Sequence, residues 1–224
     1  MKIGLLQCGA TAPELDVHHG SYPEFYAELL GPGFDWQTWR VFDGAFPEGP
    51  GDAEGWLVSG SKHAVYEDHD WIAPLEQLIR DIHARDIPLV GICFGHQIVA
   101  QALGGRVEKF AGGWAVGRRP YDLDGETVHL NAWHQDQVVQ PPPGARVIAS
   151  SDFTAYAGLA IGPATLTLQP HPEFSSDYIA AMVALRRGGT VPDPLLDQAA
   201  RDIGQNVDNA AIGARLSRFF RDHQ

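Results

Sequence analysis

Pro88-Leu89-Val90-Gly91-Ile92-Cys93-Phe94-Gly95-His96-Gln97 is the stretch on which the reading of this chain turns. An apolar run ends in Gly-x-Cys-x-Gly. A helical pattern follows at once, with Ile98, Val99, Ala102 and Leu103 as its apolar positions and Gly104-Gly105 as its stop. Buried strand, sharp turn and helix in that order have the form of a nucleophile elbow, with Cys where the hydrolase motif carries Ser. Gly91 and Gly95 lack Cβ atoms, so strand and helix can pass close to a strained residue between them. Such a turn lifts the Cys93 side chain off the sheet and turns the first free N–H groups of the helix toward the same place, where an oxyanion can be held. The competing reading is a buried structural cysteine, the common fate of free Cys. The two flanking glycines, the strand-to-helix switch and the polar pair His96-Gln97 count against it.

Outward from the elbow, the chain alternates strand and helix patterns. Toward the N-terminus the expected strands are 2–7, 36–42 and 55–58, and the expected helices are 22–30 and 71–84. The polar segment 11–20 reads as a loop. Ser59-Gly60-Ser61 forms a tight turn at the end of the third strand, and Lys62 to Asp70 a polar loop. This alternation predicts a mostly parallel α/β sheet covered by helices on both faces, with its site at the carboxyl ends of the strands. Beyond Gly105 the texture changes to short β runs broken by turn residues, a smaller antiparallel insert, with strands expected near 116–117, 121–123, 127–130, 137–139, 146–149, 155–160 and 164–168. From Ser175 the chain is helical, broken at Gly188-Gly189 and closed by a helix over about 207–220. One domain over 1–224 is expected, with a core of about 1–175 and a C-terminal helical extension of about 176–224.

Bulk composition narrows the function. The chain has 224 residues, 44% apolar and 20% charged, an ordinary globular balance. A net charge of −12 argues against nucleic acid or an anionic membrane as partner. No apolar run reaches membrane length, and the N-terminal apolar stretch is too short for a signal peptide. The two cysteines, Cys8 and Cys93, are therefore expected to be reduced thiols in the cytoplasm, Cys8 as a small core residue.

A nucleophilic thiol needs a base, and the base needs a partner that orients it. Pro170-His171-Pro172-Glu173, at the end of the last expected strand, supplies both. His171 is the candidate base. Glu173 can reach back to one imidazole nitrogen and leave the other free for the thiol, and the prolines stiffen the turn.

The elbow, together with Ala102-Leu103-Gly104-Gly105 and His171-Pro172-Glu173, resembles the class I glutamine amidotransferases that carry a Cys-His-Glu triad. The resemblance is close over about residues 55–175. It implies a flavodoxin-like three-layer sandwich and hydrolysis of the γ-amide of glutamine through a γ-glutamyl thioester on Cys93, with His171 as base and then acid. It also implies oxyanion donors at Gly60 and Phe94 and substrate contacts at Gln97, Gly113 and Trp114. No cofactor is expected. The implied substrate is a small γ-glutamyl compound, and a separate synthase or acceptor subunit is a further implied partner. Synthetase-type members usually read Gly-Gly-Pro where this chain has Ser59-Gly60-Ser61, and no synthase domain follows. The chain therefore also resembles the freestanding γ-glutamyl peptidase branch, which passes no ammonia onward. A regulatory or binding module of the same fold is the alternative from another class, and a redox-sensing cysteine protein a third. The triad argues against the binding module, and the redox reading would want a resolving thiol where only Cys8 is available.

Several residues keep two readings. His134 and Asp136 suit either the substrate mouth or a solvated hairpin. His18-His19 and His63, Asp68, His69 and Asp70 can be drawn as metal sites, but their spacing is not telling and no metal is expected. Trp36, Trp39, Trp56 and Trp71 are expected in the core, Trp114 and Trp133 at a rim. Arg118-Arg119 reads as a surface pair that could also meet a carboxylate.

Overall fold

The computed structural model describes residues 1–223. In chain order it contains β1 (Lys2–Gln7), α1 (Pro13–His19), α2 (Tyr22–Leu30), β2 (Asp35–Arg40), β3 (Gly55–Val58), α3 (Ile72–His83), β4 (Leu89–Ile92) and α4 (Phe94–Ala102). Five further strands follow: β5 (Arg106–Lys109), β6 (Ala115–Leu123), β7 (Glu126–His134), β8 (Asp136–Gln140) and β9 (Arg146–Ser150). The chain closes with β10 (Gly158–Ile161), β11 (Thr165–Leu168), α5 (Ser176–Arg186), α6 (Asp193–Arg201) and α7 (Asn209–Asp222).

Nine strands form one sheet in the order β2-β1-β3-β4-β11-β10-β9-β6-β7. The first five are parallel to one another, which gives the 2-1-3-4-5 arrangement of a flavodoxin-like sheet. The remaining strands run antiparallel and extend that sheet, while β5 and β8 form a separate antiparallel ribbon.

The period-two rule of strands sorts the parallel strands between two apolar cores. Ile3, Leu5, Leu57, Val90 and Ile92 face the side covered by α1, α2, α5, α6 and α7. Leu6, Trp56, Val58 and Leu89 face the side covered by α3 and α4. The strands are buried on both faces, which explains their continuous apolar runs. The C-terminal helices add Ile179, Leu196, Ile212, Leu216 and Phe220 to the first core, continuous with the strands.

Some expectations need correction. Segment 11–20 contains helix α1 rather than only loop. Pro13 opens the helix and Glu14 and Asp16 suit its first turn, but only Leu15 is buried, so the polar composition hides it. Helix α6 lies within the expected helical C-terminal region, but its bounds are hidden for the same reason, since Leu196 and Ala199 alone are buried. The short runs at 116–117 and 121–123 join into the single strand β6, paired along its length with β7. Trp56 and Trp71 are core residues, whereas Trp36 and Trp39 are only partly buried against the core, β2 being the edge strand.

The elbow is held by steric necessity. A Cβ on Gly95 would lie 2.1 Å from the carbonyl oxygen of Val58 in β3, and one on Gly91 would lie 2.5 Å from the Gly95 carbonyl oxygen. Strand and helix touch backbone to backbone, and backbone cannot move aside as a side chain can. Gly95→Ala is expected to lower stability by about 1–3 kcal/mol as an overpacking substitution. Gly51→Ala, with open space around its Cβ position, should stay within about 0.5 kcal/mol. Denaturant midpoints of the two variants check this.

Beneath the elbow, His96 is fully buried, with Nδ1 2.8 Å from the Thr167 hydroxyl. Burial pushes its pKa from 6.5 down to about 3. The unfolded chain therefore takes up a proton near pH 6.5 that the folded chain refuses until about pH 3. The stability is present above the unfolded pKa and drains as pH falls through this window, at up to about 1.4 kcal/mol per pH unit. Urea midpoints measured from pH 7 to 4 should fall more shallowly in His96→Asn than in the parent chain.

Candidate active site

Cys93 bridges β4 and α4 with φ of 54° and ψ of −105°, a conformation that L-residues rarely adopt. Its N–H donates to the Leu168 carbonyl at 2.8 Å, which ties the turn to β11. The thiol is free and 6% of the residue is exposed. Cys8, also free, is fully buried at the end of β1, where burial raises its thiol pKa far above the ordinary value, and it fits the core role expected of it.

β11 runs beside β4 and delivers His171 to the same end of the sheet. The His171 N–H donates to the Asn131 carbonyl at 2.8 Å, fastening the loop to β7. Its ring lies flat on Phe174, with centroids 4.0 Å apart and planes at 4°. Nδ1 is 2.7 Å from Glu173 Oε1, so the carboxylate accepts from Nδ1–H and leaves Nε2 for a second partner. Both side chains of that pair are buried.

The opposing influences on His171 can be ranked. Burial disfavours its charged form, but negative charge on Cys93 and on Glu173 outweighs burial and raises its pKa to about 10. Cys93 acts directly on the ring, and Nε2 has no partner in full hydrogen-bond geometry. Such contacts often tighten only when substrate is bound.

Tyr26 is the residue that sequence reasoning missed. Its hydroxyl donates to Glu173 Oε1 at 3.2 Å and accepts the Gly60 N–H at 3.3 Å. Burial first, and then the Glu173 charge, raise its pKa well above the ordinary value, so the phenol keeps the proton it donates. Its position in the helical pattern of 22–30 marked it only as apolar, because Tyr serves equally as packing and as donor.

The other expected residues divide. Gly60 lies against His171: a Cβ there would be 3.2 Å from the ring carbon Cε1. Its N–H, however, is engaged by Tyr26, so the expected Gly60 share of an oxyanion hole is not free in this state. Phe94 opens α4, where the first-turn N–H groups have no intrahelical acceptor. Gln97 lines the cavity, yet its Nε2 already donates to Asp136 O at 2.9 Å and to Gln169 Oε1 at 3.0 Å, leaving only Oε1 for a ligand. Trp114 and Trp133 both line the cavity. Gly113 does not; with φ of 92° it makes the turn before β6.

His134 and Asp136 belong to the cavity wall. Burial lowers the pKa of His134 to about 3 and keeps it neutral. Its Nδ1 pairs with the Asp136 carbonyl at 3.1 Å, which leaves a buried Nε2 lone pair without a partner. Arg118 is turned away, donating to Asn206 O at 2.7 Å, and neither Arg118 nor Arg119 lines the cavity. The cavity has a volume of about 560 Å³ and reaches Cys93 and His171 at its floor, within the size range of small-molecule sites. Lys109 and Arg186 supply positive charge on its wall. The loop after β3 also brings His63 and His69 together with Glu67, which the linear spacing did not suggest.

Known proteins share sequence and fold with this chain. Gamma-glutamyl peptidase 4 of Arabidopsis thaliana is 29% identical over 92% of this chain and 89% of its own length. Gamma-glutamyl peptidase 2 of the same plant is 30% identical over 81% of this chain and 79% of its own. The crystal structure of a glutamine amido transferase from Methylobacillus flagellatus shares the fold, with a TM-score of 0.74 over 100% of this chain and 92% of that one, at 22% identity. The model of the family described as Glutamine amidotransferase class-I matches residues 47–183, which span β3, the Cys93 elbow and the His171 loop, and the chain belongs to that family.

Proposed function

We propose that this chain hydrolyses the γ-amide bond of glutamine or of a γ-glutamyl compound through a γ-glutamyl thioester on Cys93. The observation that carries the proposal is the position of Cys93 at a strained turn beside a buried imidazole whose other nitrogen is held by Glu173. In the proposed sequence the proton of the Cys93 thiol rests on His171 Nε2, and Cys93 Sγ, as the thiolate, attacks the γ-carbonyl carbon. The oxygen that becomes negative is met by N–H groups at the head of α4, beginning with Phe94. The Gly60 N–H joins them if Tyr26 lets it go. Protonated His171 then passes its proton to the leaving nitrogen, and the C–N bond breaks to free ammonia or an amine. Water, deprotonated by the now neutral His171, opens the thioester; the thiol regains a proton and glutamate leaves. Glu173 holds Nδ1–H throughout and stabilises the imidazolium.

Substrate recognition follows from the wall. Neutral His134, with its unpaired Nε2, is suited to accept from the α-ammonium of a γ-glutamyl group. Lys109 and Arg186 are suited to carboxylates. Trp114 and Trp133 would bound the part of the substrate beyond the scissile bond. The cavity is roomier than glutamine alone requires, and the most similar relatives reported above are γ-glutamyl peptidases, so a larger γ-glutamyl amide or peptide is the favoured substrate. Two free cysteines suit a reducing, cytoplasmic setting, and no helix among the described residues is long and apolar enough to cross a membrane. The whole chain would act as one domain, since α5 to α7 share a core with the strands.

Glutamate release from glutamine, glutathione and γ-glutamyl amines tests the proposal. Cys93→Ser and His171→Ala should each lower kcat by at least about 10³-fold, and Glu173→Gln by about 10²-fold. Mass spectrometry of quenched turnover should find the γ-glutamyl adduct on Cys93. No release from any γ-glutamyl donor, together with no thiol labelling at Cys93, would refute the reading and favour a binding module. Turnover that appears only when an acceptor subunit is supplied from cell extract would replace the peptidase with an amidotransferase half.

A further inference from the structure

We propose that His63, Glu67 and His69 form a three-ligand site for a divalent transition metal ion of the zinc type, which fixes the loop between β3 and α3. The donor atoms converge on one point. His63 Nδ1 and His69 Nε2 are 3.0 Å apart, and Glu67 Oε2 is 3.1 Å from the first and 2.8 Å from the second. Two imidazole nitrogens and a carboxylate oxygen are a donor set that zinc takes readily, with metal–ligand distances of about 2.0–2.2 Å. The corners of a tetrahedral shell of that size lie about 3.3 Å apart, so the observed triangle needs only slight opening to seat an ion and leave a fourth position vacant for water.

Hydrogen bonding accounts for the triangle less completely. With the carboxylate ionised, protons can satisfy at most two of its three edges. If both nitrogens donate to Glu67, the two N–H groups face each other across the third edge. If only one is protonated, the other presents a lone pair to the carboxylate. A cation satisfies all three edges at once.

The local fold preorganises the ligands. Backbone bonds from Glu67 N–H to Ala64 O and from His69 N–H to Glu67 O coil the segment so that residues 63, 67 and 69 meet. The His69 ring lies nearly parallel to Trp71, at 13°, and His63 meets both rings edge-on. Trp71 in turn packs on Phe94, the residue after the candidate nucleophile. His63 N–H donates to Ser61 Oγ, whose own O–H donates to the Cys8 carbonyl at the end of β1. The site is thus joined to the turn that carries Gly60. All three ligands keep part of their side chains in solvent, which gives an ion a route in, and His63 and Glu67 also line the cavity. The site stands whether or not Cys93 is a nucleophile.

Titration of the tag-free, chelator-stripped full chain with Zn²⁺, and with Co²⁺ followed by its visible absorption, tests the proposal. Wild type should bind one equivalent, give the intense absorption of four-coordinate Co²⁺, and melt at higher temperature with Zn²⁺ than without. Cys93→Ser should bind equally well. His69→Ala and Glu67→Gln should each weaken binding by at least about tenfold. His63→Ala gives the same readout should His69→Ala fail to fold through loss of its packing on Trp71. Absence of stoichiometric binding in wild type would overturn the proposal. So would unchanged affinity in the folded ligand variants, or binding that disappears in Cys93→Ser and so belongs to the thiol.

Discussion

A carbonyl oxygen of β3 occupies the space that a side chain at residue 95 would need. The rest of the structure is arranged around that contact. It lets α4 start directly on the sheet, which forces Cys93 into a positive-φ turn and brings its thiol to the carboxyl edge of β4. Strain of this kind costs on the order of 1–3 kcal/mol and persists only where the surroundings over-determine it. Here they do so: β4 is hydrogen-bonded to β3 on one side and β11 on the other, both in parallel register.

β11 links the two halves of the site. The strand that locks β4 from one side also leads, three residues on, to His171. Cys93 and His171 are far apart in sequence and neighbours in space because their strands are neighbours. The His171–Glu173 pair is then placed in surroundings that would be hostile to a lone charge. A buried ion pair contributes little net stability, but breaking one costs about 3–5 kcal/mol because the remaining charge is stranded. Tyr26 relieves part of that tension by donating to Glu173 while accepting from Gly60. A helix on one face of the sheet, a turn after β3 and the loop after β11 are thereby joined in one hydrogen-bonded chain.

The cavity wall sets neutral and charged groups apart by burial. His134 loses its charge because it is desolvated, and His171 keeps one because Cys93 and Glu173 outweigh the same desolvation. Two histidines on one cavity thus carry opposite protonation, one suited to accepting a hydrogen bond and the other to moving a proton. The overall acidity of the chain is not repeated on the cavity wall, where Lys62, Lys109 and Arg186 stand beside Glu67 and Asp136.

Much of this was legible in the residues alone. Gly91-x-Cys93-x-Gly95 between an apolar run and a helical period announces the elbow, because only glycine tolerates that approach. The continuous apolar runs announce strands buried on both faces. His171 and Glu173 are readable as a pair because they are two residues apart. The short helices α1 and α6 were hidden, since a helix that buries one or two residues has no period to read. Tyr26, the engagement of the Gly60 N–H, the neutrality of His134 and the meeting of His63, Glu67 and His69 were decided only by the tertiary structure. Each depends on distances between groups from different elements, or on how a loop coils, and linear spacing carries no such information. A sequence states which side chains exist and which face of an element they share; burial and contact, which set protonation and partnership, arise only when the elements pack.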